Sequence, residues 1–286
     1  MSKLLLHPRT EKQLADFLSN PSHAITLIAP AGSGKHSLAW LLASQLLAVD
    51  SDRLINQPYF KSICSLDGKD ISIESIRELE HFLSLKVPSH ALVHRVVVIE
   101  DAETLTTEAQ NAFLKTLEEP PLGTVFILTS THDQALLPTI RSRSPKLLIT
   151  RPDYESLKQY FEAIHSNQAE IKQALLVSGG LPGLASALLS QSDGHPLLPA
   201  TIMARQLLGQ TKYERLISVD VLAKDKTLSL NTLYILQQMA HLSLLTANGA
   251  AAIRWLNILK FSYEAQVALL NNNQAKLVLT NLILHL

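Results

Sequence analysis

The sequence predicts an α/β domain built on a parallel sheet, followed by a region made only of helices. Short apolar runs rich in β-branched residues alternate with helical patterns in the first half of the chain, which is typical of strands joined by crossover helices. No strand pattern appears after residue 151. The composition agrees, because 47% of the residues are hydrophobic and only 5% are aromatic, a Leu- and Ala-rich balance that favours helices.

The first half is expected to run helix, strand, helix, helix, strand, helix, strand. Each strand candidate is a short apolar run, and each helix candidate has apolar residues three and four positions apart. Residues 50–69 are polar and irregular, so we predict a loop there. The strand candidates are residues 25–28, 95–99 and 124–128, and the helix candidates are residues 10–18, 36–49, 73–85 and a segment between Thr106 and Pro120.

The second half of the chain is divided by turn-forming segments. Residues 154–163, 168–177 and 183–191 predict three short helices, and residues 192–196, which contain Gly and Pro, predict a linker. About five further helical segments run from there to residue 286. We therefore predict three domains, formed by residues 1–152, 153–195 and 196–286.

Charge and cysteine content exclude several classes of protein. The chain has 25 basic and 25 acidic residues, so no overall field draws it onto DNA or an anionic membrane. It has no apolar stretch of about 18 residues, the length of a membrane-spanning helix. The single cysteine, Cys64, cannot form an internal disulfide and is expected to be a small buried residue. We predict a cytoplasmic protein without a membrane partner.

A phosphate-binding motif follows the first strand candidate. Residues 29–36 read Ala-Pro-Ala-Gly-Ser-Gly-Lys-His, against the P-loop pattern Gly-x-x-x-x-Gly-Lys-Ser/Thr. In a P-loop the backbone N–H groups surround the phosphates and the lysine neutralises their charge. We predict this role for Gly32, Ser33, Gly34 and Lys35. The alternative is a glycine-rich turn that only begins a helix.

Two positions of this motif depart from the P-loop pattern. Ala29 replaces the first glycine, and His36 replaces the hydroxyl residue that holds Mg²⁺. Imidazole is a poor ligand for Mg²⁺, which prefers oxygen. Ser37 comes one residue late, about 100° round a helix, so it cannot simply replace the missing hydroxyl. We predict a degenerate site that binds ATP or ADP, disfavours Mg²⁺ and hydrolyses nucleotide poorly.

The second strand candidate ends in two carboxylates, Glu100 and Asp101. A Walker B strand normally ends in Asp-Glu, where the first residue holds the metal and the second acts on the attacking water. The reversed order moves both carboxylates by about one methylene, and errors of about 1 Å cost up to about a hundredfold in rate. The alternative is a solvated acidic strand end without a catalytic role.

Two longer blocks carry a resemblance to a known family. Residues 111–121 read Asn-Ala-Phe-Leu-Lys-Thr-Leu-Glu-Glu-Pro-Pro, and residues 137–143 read Leu-Pro-Thr-Ile-Arg-Ser-Arg. Residues 96–103, 178–185 and 273–279 extend the match over nearly the whole chain. The sequence resembles the delta-prime subunits of bacterial DNA polymerase III, which belong to the AAA+ clamp-loader family.

The resemblance implies an AAA+ P-loop NTPase-like domain, a small helical lid and an all-α C-terminal collar that packs against other subunits. The implied partners are the motor subunits and the delta subunit of a hetero-pentamer, with the sliding clamp and primer–template DNA reached through the complex. Residues 142–144 match the family's Ser-Arg-Cys motif, with Ser144 in place of the cysteine. Arg143 is then an arginine finger that acts in trans on a neighbouring ATPase. The alternative is a surface or helix-capping arginine.

Departures from the family's motor subunits support a stator, a subunit that hydrolyses ATP weakly or not at all. Gly183 stands where motor relatives carry the arginine that senses ATP. Ser130 matches a sensor-1 hydroxyl that orients water, although an ordinary strand-end hydroxyl fits equally well. Cys64 alone cannot form the four-cysteine zinc module of many relatives, so no zinc is expected.

Two other functions compete with the stator assignment. A working AAA+ ATPase, either the motor subunit of the same clamp loader or a helicase-like AAA+ protein, would use Lys35 on the phosphates and Glu100 and Asp101 on Mg²⁺ and water. His36 and Gly183 argue against it. A DNA-binding protein derived from a P-loop fold is disfavoured by the zero net charge.

Overall fold

Apolar runs of the first half form one parallel sheet. A computed structural model describes residues 4–65, 70–85, 87, 92–190 and 195–286, and the chain forms two compact units, Met1–Pro152 and Asp153–Leu286. The predicted boundary between lid and collar falls in residues 192–196, of which 192–194 lie outside the described residues, so the three-domain division stays a prediction.

Five parallel strands make up the sheet of the first unit. They are β1 (Ala24–Ile28), β2 (Phe60–Ile63), β3 (Arg95–Ile99), β4 (Thr124–Ser130) and β5 (Lys146–Leu148). Their order across the sheet is β2-β3-β4-β1-β5. Every residue of β1, β3 and β4 is buried, as expected for parallel strands covered on both faces.

Helices cover both faces of this sheet. They are α1 (Pro8–Ser19), α2 (Lys35–Leu46), α3 (Ile73–Ser84), α4 (Thr107–Glu118) and α5 (Pro138–Arg143). One core is formed by α3, α4 and α5 with residues such as Val97 and Phe126, and the other by α1 and α2 with residues such as Val96 and Ile127. Alternate strand residues therefore serve opposite cores, which is the period-2 geometry of a strand.

The two edge strands correct the sequence interpretation. β2 lies inside residues 50–69, which we predicted to be a loop, together with a 3₁₀ helix at Ser51–Asn56. β5 has only three residues, and both of its terminal side chains are exposed. Short edge strands lack the continuous apolar run that identifies a central strand. The segment that begins at Pro138 is a helical turn and a half, in agreement with the preference of proline for the first turn of a helix.

Only helices appear in the described residues of the second unit. They are α6 (Tyr154–Ile164), α7 (Gln168–Val177), α8 (Pro182–Ser190), α9 (Leu198–Gly209), α10 (Lys212–Leu222), α11 (Lys226–Leu244), α12 (Gly249–Leu270) and α13 (Ala275–His285). Gly179 has a φ of +63°, and a Cβ there would lie 2.4 Å from the Cβ of Gln238, so only glycine fits between α7 and α11. None of the helices in the described ranges is long and apolar enough to cross a membrane.

The packing of Phe113 predicts a large loss of stability when its ring is removed. Phe113 is fully buried on α4 and its ring packs edge-on against Phe126, with 5.4 Å between ring centroids. Phe113→Ala should lower the free energy of unfolding of the first unit by about 3–5 kcal/mol. Urea unfolding followed by Trp40 fluorescence in a Trp255→Phe background would measure it, because Trp40 lies in the first unit.

The control for this substitution is Leu122→Ala, since Leu122 is 91% exposed. It should change the free energy of unfolding by less than about 0.5 kcal/mol. A similar small effect for Phe113→Ala would contradict the core that we describe.

Candidate functional site

A glycine loop connects β1 to α2 at the carboxyl edge of the sheet. Gly32 and Gly34 have φ angles of +77° and +86°, in the left-handed region that favours glycine. The hydroxyl oxygen of Ser33 is buried without a hydrogen-bond partner. The loop leads into the N-terminus of α2, whose free N–H groups and dipole favour an anion. The conformation of this loop therefore fits a phosphate group.

Lys35 opens α2 and forms an ion pair with Asp101. Lys35 is buried, and its Nζ lies 2.8 Å from Oδ1 of Asp101. Asp101 has a φ of +46°, and its backbone N–H donates a hydrogen bond of 2.9 Å to Oγ1 of Thr129 at the end of β4. The lysine that would bind phosphate is thus paired with the second of the two strand-end carboxylates.

His36 contacts the first of these carboxylates. Nδ1 of His36 lies 2.5 Å from Oε2 of Glu100. The other oxygen, Oε1, accepts hydrogen bonds from Nε1 of Trp40 at 2.8 Å and from Oγ of Ser62 at 2.7 Å. Burial raises the pKa of Glu100, but the hydrogen bonds from His36, Trp40 and Ser62 outweigh it, so the pKa lies below its usual range. Glu100 is held as a carboxylate.

These contacts do not fit a magnesium site. In a P-loop the residue at the position of His36 offers an oxygen to Mg²⁺, and here its imidazole bonds directly to Glu100. Asp101 is occupied by Lys35. Within the described residues, no group of three or more His, Cys, Asp or Glu side chains is placed to hold a metal ion. The conformation of the loop suits a phosphate, while the carboxylates around it already have protein partners.

The two candidate hydroxyls lie in different settings. Ser37 is exposed on α2. Ser130, at the end of β4, is fully buried, and its Oγ donates a hydrogen bond of 2.9 Å to the carbonyl oxygen of His132. This contact ties Ser130 to the turn that follows its own strand.

Sequence reasoning missed two side chains that hold Glu100 and misjudged one nearby. Trp40 stands four residues after His36, one helical turn further on the same face, so helix spacing was a usable signal. Ser62 lies on β2, the strand that was not predicted. Cys64 is exposed, in contrast to the buried position expected for it. Partial burial, together with the charges of Glu100 and Asp101, raises the pKa of its thiol.

Arg143 is the last residue of α5 and reaches the end of α4. Its Nη2 lies 2.8 Å from Oε1 of Glu118, and its Nη1 donates a hydrogen bond of 3.2 Å to the carbonyl oxygen of Thr139. The side chains of Arg143 and Glu118 are 36% and 50% exposed. The guanidinium is therefore at the surface of the first unit, paired with a residue of the same unit.

Hydrogen bonds of buried side chains fix the backbone on both sides of α5. The hydroxyls of Ser144 and Thr26 are 2.7 Å apart, and both residues are buried, so the end of α5 is fastened to β1. At the other end, the backbone N–H of Leu137 donates to Oε1 of Gln110 on α4 at 2.8 Å. Ile140 is fully buried in the core between these contacts. Arg143 thus extends from a rigid support.

Arg141 lies on the same helix in a different setting. Its Nη1 is 3.8 Å from Oδ2 of Asp133, an oxygen that also binds Nζ of Lys146 at 2.8 Å. The Nε of Arg141 is buried. These contacts connect α5 to β5, which is a structural role.

The fold is that of AAA+ P-loop proteins, a parallel sheet between helices followed by a helical region, as the sequence predicted. The DNA polymerase III gamma subunit-related protein of Thermotoga maritima has a similar structure, with a TM-score of 0.55 at 18% identity over 96% of this chain and 97% of that chain. This likeness concerns the fold alone. Gly183 lies in the first turn of α8 in the second unit.

Curated relatives at higher identity are subunits of DNA polymerase III. The delta-prime subunit of Haemophilus influenzae is 31% identical over 203 residues, which is 66% of this chain and 58% of that protein. The delta-prime subunit of Pseudomonas aeruginosa is 34% identical over 188 residues, 59% of this chain and 56% of that protein. A gamma/tau subunit of Mycobacterium tuberculosis is 31% identical over 138 residues, 43% of this chain and 23% of that protein.

The chain spans less than three fifths of the length of the two delta-prime relatives named above. A family model described as DNA polymerase III, delta subunit, matches residues 7–153, which include the phosphate loop, both strand-end carboxylates and Arg143. That match covers just over half of the 286 residues, and the chain therefore belongs to the DNA polymerase III delta subunit family.

Proposed function

We propose that this chain is a delta-prime-like stator subunit of the DNA polymerase III clamp loader, which supplies Arg143 to the ATP site of a neighbouring subunit while the sliding clamp is loaded during DNA replication. The observation that carries the proposal is the placement of Arg143, whose guanidinium is partly exposed on a backbone fixed by hydrogen bonds of buried side chains. The curated relatives, delta-prime and gamma/tau subunits of DNA polymerase III, support it.

The chemistry of Arg143 suits action in trans. A guanidinium stays protonated, is planar and presents several N–H donors to phosphate oxygens. Placed against the γ-phosphate of a neighbour's ATP, it stabilises the negative charge that develops there during transfer. Arginine fingers of this kind raise the kcat of nucleotide hydrolysis by a factor of about 10³–10⁵. The chain needs no nucleotide of its own for this contribution.

The chain's own site is proposed to bind ATP or ADP without hydrolysing it efficiently. The glycine loop, Ser33 and Lys35 offer N–H groups, a hydroxyl and a positive charge to phosphates. A metal would have to displace His36 from Glu100 and Lys35 from Asp101. Because both carboxylates have protein partners, this site lacks the arrangement from which P-loop proteins hydrolyse nucleotide.

An exposed apolar stripe on α12 supports assembly through the C-terminal region. Its residues recur three, four and seven positions apart, the spacing of a helix-pairing face. The stripe consists of Ile253, Leu256, Tyr263, Val267 and Leu270, which are all exposed. We propose that it packs against motor and delta subunits in a hetero-pentamer in the cytoplasm, and that the sliding clamp and primer–template DNA are reached through this complex.

Removing the guanidinium of Arg143 tests the role in trans. In a reconstituted clamp loader, Arg143→Ala should leave assembly intact and lower DNA-stimulated ATP turnover at the neighbouring site by about 10³-fold or more. Arg143→Lys should also be impaired, because lysine lacks the planar fork. Single-turnover hydrolysis and gel filtration would measure the two properties. Arg53→Ala, at an exposed arginine outside the site, is the matched control. Unchanged turnover in Arg143→Ala would refute the role.

The isolated chain tests the proposal for its own site. We expect negligible steady-state ATP hydrolysis with Mg²⁺, and ADP binding that Lys35→Ala weakens and that Mg²⁺ does not strengthen. In the double variant His36→Thr, Glu100→Asp, Mg²⁺ should strengthen ADP binding, since both oxygen ligands are then restored. Calorimetry and a phosphate-release assay would measure these effects. A clear hydrolysis rate that depends on Lys35 would favour the working ATPase instead.

Charges placed in the α12 stripe test the assembly surface. Leu256→Glu and Val267→Glu should prevent incorporation into the complex, because a buried unpaired carboxylate opposes packing. Circular dichroism should show an unchanged fold, since both side chains are exposed in the chain itself. Asn257→Glu, at the next exposed position of the helix, is the control and should assemble normally. Normal incorporation of both stripe variants would exclude this surface.

A further inference from the structure

One acidic residue of the block at 111–121 has a specific contact that the proposed function does not use. Glu118 is the last residue of α4, and its Oε1 binds Nη2 of Arg143 at 2.8 Å. The next residue, Glu119, is also exposed, but its side chain has no ion-pair partner among the described residues. Two adjacent carboxylates are thus available, and only one of them reaches the arginine.

We propose that Glu118 is a positioning residue for Arg143. The inference rests on the proposed action of Arg143 in trans. Glu118 binds Nη2 of the guanidinium, and the carbonyl oxygen of Thr139 accepts a hydrogen bond from Nη1. Both terminal nitrogens of the side chain are therefore held. A guanidinium has five N–H donors, and the ones that remain can bind a second anion. Glu118 holds these donors in place for the γ-phosphate of the neighbouring subunit.

The physical benefit is a smaller loss of conformational freedom on assembly. An arginine on the surface has many rotamers, and fixing them opposes binding. The contact with Glu118 removes part of this freedom before the subunits meet. It also keeps the guanidinium next to a carboxylate of its own subunit, so that Arg143 does not pair with other anionic groups at the surface. Preorganisation of this kind acts on the transition state more than on ATP binding.

The fold does not depend on this ion pair. Pairs between exposed side chains contribute little to stability. The hydrogen bonds of Gln110 with Leu137 and of Thr26 with Ser144 already join α5 to α4 and to β1. Substitutions of Glu118 are therefore expected to leave the folded subunit intact, and their effects on turnover report on Arg143.

The test is ATP turnover in the reconstituted clamp loader with Glu118→Ala, Glu118→Gln and, as matched control, Glu119→Ala. Glu118→Ala should lower the kcat of the neighbouring site about tenfold, less than the ~10²-fold that a 1 Å misplacement can cost, with KM within about twofold. Glu118→Gln should be intermediate, because it keeps an acceptor oxygen without the charge. Glu119→Ala should match the unsubstituted protein.

A double variant separates positioning from a general structural role. If Glu118 acts only through Arg143, then Glu118→Ala in an Arg143→Ala background causes no further loss of turnover. A further loss there would overturn the inference, as would unchanged turnover in the single variant Glu118→Ala. Higher turnover in Glu118→Ala would also overturn it, because the carboxylate would then be competing with the γ-phosphate.

The same set of variants distinguishes this inference from the proposal beneath it. Unchanged turnover in Arg143→Ala refutes the action in trans and, with it, the role of Glu118. A large loss in Arg143→Ala together with no loss in Glu118→Ala leaves the arginine finger in place and refutes the positioning role alone.

Discussion

The register of three buried strands brings the candidate residues of the phosphate site together. β1, β3 and β4 run parallel, and their pairing places Ile28 beside Ser130 and Ile99 beside Leu128. Their carboxyl ends therefore meet at one edge, where the glycine loop, the two carboxylates and Ser130 come together. The same sheet supports Arg143, since Ser144 is bound to Thr26 within β1. One rigid layer thus carries both the chain's own phosphate loop and the arginine that we propose for a neighbour.

Both carboxylates beside the phosphate loop have partners within the chain. Lys35 and His36 each contact one of the two strand-end carboxylates, so side chains of the protein take the places at which a metal would act. The substitution of a hydroxyl by imidazole and the exchanged order of Asp and Glu are small changes in sequence. Together they allow Lys35 and His36 to contact the carboxylates directly. A loop whose geometry suits phosphate can therefore occur without free oxygen ligands for the metal that hydrolysis needs.

The central features could be predicted from sequence because they rest on continuous local patterns. The buried strands are apolar runs, and the glycine loop and α4 have fixed motifs at their ends. β2 and β5 were missed because an edge strand needs only a few inward-facing residues. The pairs His36–Glu100, Trp40–Glu100 and Arg143–Glu118 join residues 64, 60 and 25 positions apart, and only the tertiary fold brings them together. In the second unit, five helices after residue 196 agree with the five segments expected there.

The serine next to Arg143 has a chemical consequence for the arginine finger that we propose. The family motif has cysteine at this position, whereas here two hydroxyl oxygens, those of Ser144 and Thr26, form the anchor. Hydroxyls do not undergo the stepwise oxidation that converts a thiol to sulfenic and sulfinic acids. The sole thiol of the chain, Cys64, lies instead near Glu100 and Asp101. Oxidation of cysteine is therefore confined to Cys64, and the contact that fastens Arg143 to the sheet contains no thiol to oxidise.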